Sequence, residues 1–200
     1  LITYTFIKPP KAMKRILWIL PFFLLLSFSA MAQGYKINRS NVGMKGTSTL
    51  HDWAANVTRV RGNGDVKVEG GELKAVNSLS VTMDVASIKS TKGQMMDKNI
   101  LSTFDASKYA TIVFQMTSAK VTKQGNAYQV AAKGNLTMHG VTKPVDLSVT
   151  GTVAGDGSVQ FKGTKKLKMS DFKMSAPVLF MGTLKTSDDV TVSLDVTMGK

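Results

Sequence analysis

The sequence predicts an all-β domain, an antiparallel sandwich or barrel of about eight strands with one short helical segment. Three observations predict it. Apolar and polar residues alternate with period two through most of the chain after Tyr35, glycine-rich turn signals separate the alternating runs, and helical spacing appears only once.

The chain before Tyr35 is of another kind. Lys14 and Arg15 precede an apolar run from Ile16 to Phe28, and Ala30-Met31-Ala32 supplies a small-x-small ending before the polar Gln33. That order predicts a secretory signal peptide over residues 13–32, with a start at Met13 and residues 1–12 upstream of it. The apolar run is short for a transmembrane span, and a retained N-terminal anchor is the alternative. No cysteine follows the run, so lipoprotein anchoring is excluded, and a periplasmic or secreted location is expected for residues 33–200.

Along that remainder, short alternating runs occur at Val66 and Val68, and a longer one at Leu79, Val81, Met83 and Val85. Met96, Ile100 and Phe104 then recur at helical spacing, which predicts one helical segment within residues 91–104, capped by Ser90 or Thr91. Alternation resumes at Ile112, Phe114 and Met116, at Tyr128 and Val130, and at Leu136 and Met138. It continues at Val145, Leu147 and Val149, at Val159 and Phe161, and last through Val190, Val192, Leu194, Val196 and Met198. Arg61-Gly62-Asn63-Gly64, Gly70-Gly71, Gln124-Gly125-Asn126 and Gly155-Asp156-Gly157 read as the turns between them.

Residues 33–200 are long enough for one domain with a sizeable core and short for two. With no cysteine anywhere, that core must hold by packing and hydrogen bonds. The net charge of +13 arises mostly from scattered lysines, with one local cluster at Lys162, Lys165, Lys166 and Lys168. Nucleic-acid binding calls for a denser basic stripe interleaved with aromatics and is not expected. Such scattered charge reads first as simple solubility; attraction to a phosphate-bearing ligand, an anionic membrane surface or an envelope protein is the alternative, and a homodimer is compatible with it.

Closing the sheet would remove its exposed edges and create an interior, which in barrels of about eight strands is either filled or holds one small or elongated ligand. Ten of the twelve methionines fall after residue 32, and several share the apolar phase of strands. Methionine fills irregular gaps and also lines sites for long, adaptable apolar ligands, so composition alone leaves both readings open.

Catalytic chemistry is poorly represented. His51 and His139 are the two histidines, a cysteine nucleophile is impossible, and His51-Asp52 and Ser170-Asp171 read as strand neighbours pointing to opposite faces. No HxH or HxxxH spacing pairs metal ligands, and neither GxGxxG nor a P-loop occurs. No catalytic residue, metal site or cofactor is expected.

The segment Gly134-Asn135-Leu136-Thr137-Met138-His139-Gly140-Val141-Thr142-Lys143-Pro144-Val145 closely resembles the G-x-LTIHGVTKPV signature of the YceI-like family. Three further stretches agree in order: Ser48-Thr49-Leu50-His51-Asp52-Trp53, Leu101-Ser102-Thr103-Phe104-Asp105-Ala106-Ser107-Lys108-Tyr109, and Met169-Ser170-Asp171-Phe172. The resemblance implies a lipocalin-like, extended antiparallel barrel whose elongated apolar cavity holds, in some members, a polyisoprenoid or another long-chain amphiphile. It departs at Met96-Asp97, where many members carry Arg-Asp, and at Tyr109-Ala110, where the tyrosine is usually followed by proline. A head-group contact from that arginine would be absent here.

The expected function is thus an exported, non-catalytic binder or carrier of a polyisoprenoid or fatty-acid-like chain. A filled-barrel interaction module without ligand is the alternative. Trp53, Met83, Phe104, Phe114, Met116, Leu136, Met138 and Phe161 are the candidate lining, and His51, His139 and Lys143 the candidate head-group contacts. Alternation says which residues share a face, and leaves open which face is inward.

Overall fold

Why the alternating runs close on themselves is visible in the pairing of the computed structural model, which describes residues 34–179 and 184–200. The expectations for residues 1–32 lie outside the described residues. The strands are β1 (Tyr35–Ser48), β2 (Trp53–Val57), β3 (Val60–Glu69), β4 (Glu72–Asp84), β5 (Ile88–Ser90), β6 (Thr111–Gln124), β7 (Ala127–Met138), β8 (Val141–Val153), β9 (Val159–Lys168), β10 (Val178–Leu179) and β11 (Leu184–Gly199). A single α-helix, α1 (Gln94–Thr103), lies between β5 and β6.

Sheet order runs β11-β9-β8-β7-β6-β4-β3-β1, and β1 pairs back on β11, so eight antiparallel strands form a closed barrel. This is the lipocalin-like barrel that the resemblance implied. β2 and β5 extend β3 and β4 past a break. Thr58 donates to the Ser87 carbonyl through both its amide (3.1 Å) and its hydroxyl (3.0 Å), and the Arg59 amide donates to Ser87 Oγ (3.0 Å). Side chains thereby satisfy backbone groups where the ladder is interrupted.

Two sequence expectations need correction. Arg61-Gly62-Asn63-Gly64 is not a turn but the first half of β3, in register with β4 from Arg61↔Thr82 to Gly64↔Leu79. A Cβ on Gly62 would sit 2.7 Å from Ile37 Cδ1 and from the Ser80 oxygen, and one on Gly64 would sit 2.4 Å from the Ser78 oxygen, so these glycines permit close strand approach. His51-Asp52 and Ser170-Asp171 lie in no strand either. The first pair belongs to the β1–β2 connection and the second to a 3-10 turn at Ser170–Phe172.

The helix begins later than Ser90 or Thr91 implied. Its N-cap is Gly93, at φ 90°, and Asp97 in the first turn reaches back to accept from the Ser90 amide at 2.6 Å. A carboxylate there also suits the positive end of the helix dipole.

The barrel's two ends differ. At one, Tyr35, Val66, Leu73, Val76, Tyr128, Val130, Val159 and Met198 form a buried plug, and the Tyr35 hydroxyl donates to the Gly157 carbonyl at 2.9 Å. At the other lie the β1–β2 connection, α1, the β7–β8 hairpin and the Met169–Phe172 turn. Here one wall is incomplete. The β8–β9 ladder runs from Val153↔Val159 only to Val149↔Gly163, although β8 continues to Val141 and β9 to Lys168. Pro144, which has no N–H to give a ladder, stands in the stretch of β8 without a β9 partner.

Candidate functional site

Between plug and open end lies a cavity of about 440 Å³. Its lining reaches from Val76, Val130 and Met198 at the plugged end to Ser48, Leu50 and Met95 at the mouth. On β11 the lining residues begin at Thr186, and the stretch from Val190 to Met198 alone covers about 26 Å of strand at roughly 3.3 Å per residue, so the space is elongated. Its volume falls within the range typical of ligand pockets.

The period-two pattern builds this lining directly. Met83 on β4, Phe114 and Met116 on β6, Leu136 and Met138 on β7, and Phe161 on β9 all line the cavity. Phe114 and Leu136 are cross-strand partners, which stacks two large side chains on one inner face. Trp53 lines it from β2 and Phe104 from the C-terminal end of α1. Trp53 lies opposite Gly46, where a Cβ would stand 2.5 Å from the indole Cζ2, so the ring lies flat in space that the glycine leaves. Its Nε1–H is buried with no acceptor among the described residues.

The three candidate polar contacts separate. His51 lines the mouth, with Nδ1 3.1 Å from the Asp52 carbonyl. His139 and Lys143 are not in the lining. His139, at φ 50°, and Gly140, at φ 71°, are the two central residues of the β7–β8 hairpin, and two positive φ values make it a type I′ turn. The His139 ring packs on Tyr109 with centroids 4.8 Å apart, and its Nδ1–H donates to the Phe172 carbonyl at 3.2 Å. Lys143 faces Asp171 at 4.0 Å on the outside. Three of the four stretches that carried the family resemblance therefore meet here, and they hold the mouth-end wall together.

Residues outside the candidate lining read from the sequence complete the site. Met95, Met96, Asn99, Ile100 and Thr103 bring one side of α1 over the mouth, and Met169 and Met174 line it from beyond β9. Leu50 and Met95, 71% and 76% exposed, are large apolar side chains left at the rim. Lys165 also lines the cavity and is half-buried. The signal for it was present, since extending the Phe161 phase along β9 puts Gly163, Lys165 and Leu167 on the same face. Lys168, also at the mouth, donates to Asp189 at 3.0 Å, a bond that raises its pKa. Among the described residues no three His, Asp or Glu side chains gather where a metal ion could be held.

Comparison with known proteins agrees with the geometry. The family model for the YceI-like domain matches residues 35–198. A UPF0312 protein of Vibrio cholerae is 37% identical over 105 residues, which cover 49% of this chain and 53% of that protein. The match thus spans about half the length of that relative. Among solved structures, Burkholderia cenocepacia BcnA superposes with a TM-score of 0.64 at 22% identity, covering 79% of this chain and 95% of that one. A polyisoprenoid-binding domain from Saccharophagus degradans superposes with a TM-score of 0.63 at 12% identity, covering 82% and 97%. At these identities the two structures speak to the fold.

Proposed function

The chain belongs to the YceI-like family, and on that premise we propose that it is an exported, non-catalytic carrier of a long-chain apolar amphiphile, a polyisoprenoid or a fatty-acid-like molecule. The observation that carries this reading is the elongated cavity, closed at one end by packed side chains and lined almost throughout by aliphatic, aromatic and methionine residues. Such a lining offers little to orient a reacting group. It offers much to a chain, because each buried CH₂ contributes about 0.8 kcal/mol.

Methionines at 44, 83, 96, 116, 138, 169 and 174 give the wall adaptable, polarisable surface that suits a flexible occupant. The polyisoprenoid-binding neighbour of the same fold supports the ligand class. The apolar segment before Gln33 supports export to the periplasm or beyond.

Mass spectrometry of an organic extract of the purified protein, alongside its native mass, tests the proposal. A stoichiometric isoprenoid or fatty amphiphile is expected. A clean apo mass that stays clean after incubation with such lipids would overturn it in favour of a ligand-free interaction module.

A further inference from the structure

The cavity lining contains lysines but no carboxylate among the described residues. Of its cations, Lys168 is tied to Asp189 and Lys92 is exposed at the rim. Lys165 differs from both. It stands three residues before the mouth end of β9, on the inner face between Gly163 and Leu167, opposite the lining residue Val192 of β11. Its ammonium forms no ion pair or hydrogen bond among the described residues. A cation turned toward an apolar interior costs stability unless something pairs with it.

We propose that Lys165 is the head-group contact of this cavity, and that the protein selects long-chain amphiphiles with an anionic head, a carboxylate or a phosphate. The inference rests on the carrier reading above and deepens it. With the apolar tail running toward Val130 and Met198, a head at the mouth end comes level with Lys165, while the deeper walls bring no charged group. A charge-assisted contact beside apolar walls, at a half-buried position, is stronger than one in open water and discriminates by sign. An alcohol head of the same chain length would leave the ammonium without a counter-charge.

The test is calorimetric titration of the protein purified from cells, at neutral pH, with hexadecanoic acid, hexadecyl phosphate and hexadecanol. The wild type should bind the acid and the phosphate at least tenfold tighter than the alcohol, and the tighter of the two identifies the head. Lys165→Met, with thermal unfolding reporting an intact fold, should bring all three to within about threefold of one another. Lys165→Arg should restore the preference. Equal binding of all three by the wild type, or equal weakening of all three by Lys165→Met, overturns the inference alone. It would assign Lys165 instead to guarding the unpaired edge of β9 against strand addition. Binding of none of the three by protein whose organic extract holds no co-purified amphiphile overturns the carrier reading and this inference with it.

Discussion

The Nδ1–H of His139 donates to the backbone carbonyl of Phe172 across 3.2 Å, joining the β7–β8 hairpin to the Met169–Phe172 turn where β8 and β9 have parted. With Lys143 facing Asp171, this bond bridges a gap that no ladder spans. The histidine of the most distinctive sequence motif thus helps to hold the wall together.

His139→Ala should lower stability by about 1–2 kcal/mol, from the lost hydrogen bond and the lost contact with Tyr109. Gly140→Ala should cost more. It places a Cβ 2.7 Å from the Tyr109 ring at a φ of 71°. Denaturant unfolding measures both. Ligand occupancy well below the unfolding transition should stay at the wild-type level, and its loss in a folded His139→Ala protein would return that residue to the binding site.

Leu136→Trp should displace bound ligand and leave a folded barrel. Leu136 is buried opposite Phe114 on the inner face, so the added volume goes into the cavity, at a cost of about 1–3 kcal/mol for the crowding. Extraction and mass spectrometry read the occupancy. Full occupancy in the variant would count against this lining.

Gly46→Ala should push the Trp53 ring out of its place, because the new Cβ would lie 2.5 Å from Cζ2. A loss of about 1–3 kcal/mol is expected, together with weaker ligand binding as the indole moves into the cavity. Trp53 is the one tryptophan of residues 33–200, so in that stretch its emission reports the displacement directly. An unchanged spectrum would contradict it.

Glu72, held by Lys123 and by Lys74, has its pKa drawn down from an ordinary 4.5 to about 2. A carboxylate with a depressed folded-state pKa contributes stability in full above pH 4.5, and that contribution fades as pH falls toward 2. The gap between wild type and Glu72→Gln should therefore be widest near neutrality and vanish by about pH 2. All three side chains are exposed, so the gap should be small and should shrink further with salt. Thermal melts across pH at two ionic strengths measure it, and a gap constant with pH would exclude this origin.

Much of the barrel was legible because alternation is a direct imprint of a wall with one inner face. β4, β6, β7 and β11 could be located from Leu79, Ile112, Leu136 and Val190 onward. β1 and β3 were less legible for opposite reasons. In β1, Val42 and Met44 are buried but so is Gly43 between them, which breaks the alternation. In β3, glycines that let strands approach closely look in sequence like glycines that let a chain turn. Within the site, apolar residues identified themselves by phase, whereas His139 carried no local sign that its ring was engaged by Phe172, 33 residues away. Lys165 could have been found by carrying the Phe161 phase through the basic cluster, but its lack of a partner is a property of three dimensions.

The plug at Tyr35, Leu73 and Tyr128 imposes an order on traffic. If the head stays at the mouth as proposed, a long molecule in a tube with one open end enters tail foremost and backs out the way it came, so its head is the last part admitted and the first part returned. On the proposed carrier function, whatever hands over or receives the cargo would meet that head, framed by Leu50 and Met95 at the rim, and not the tail.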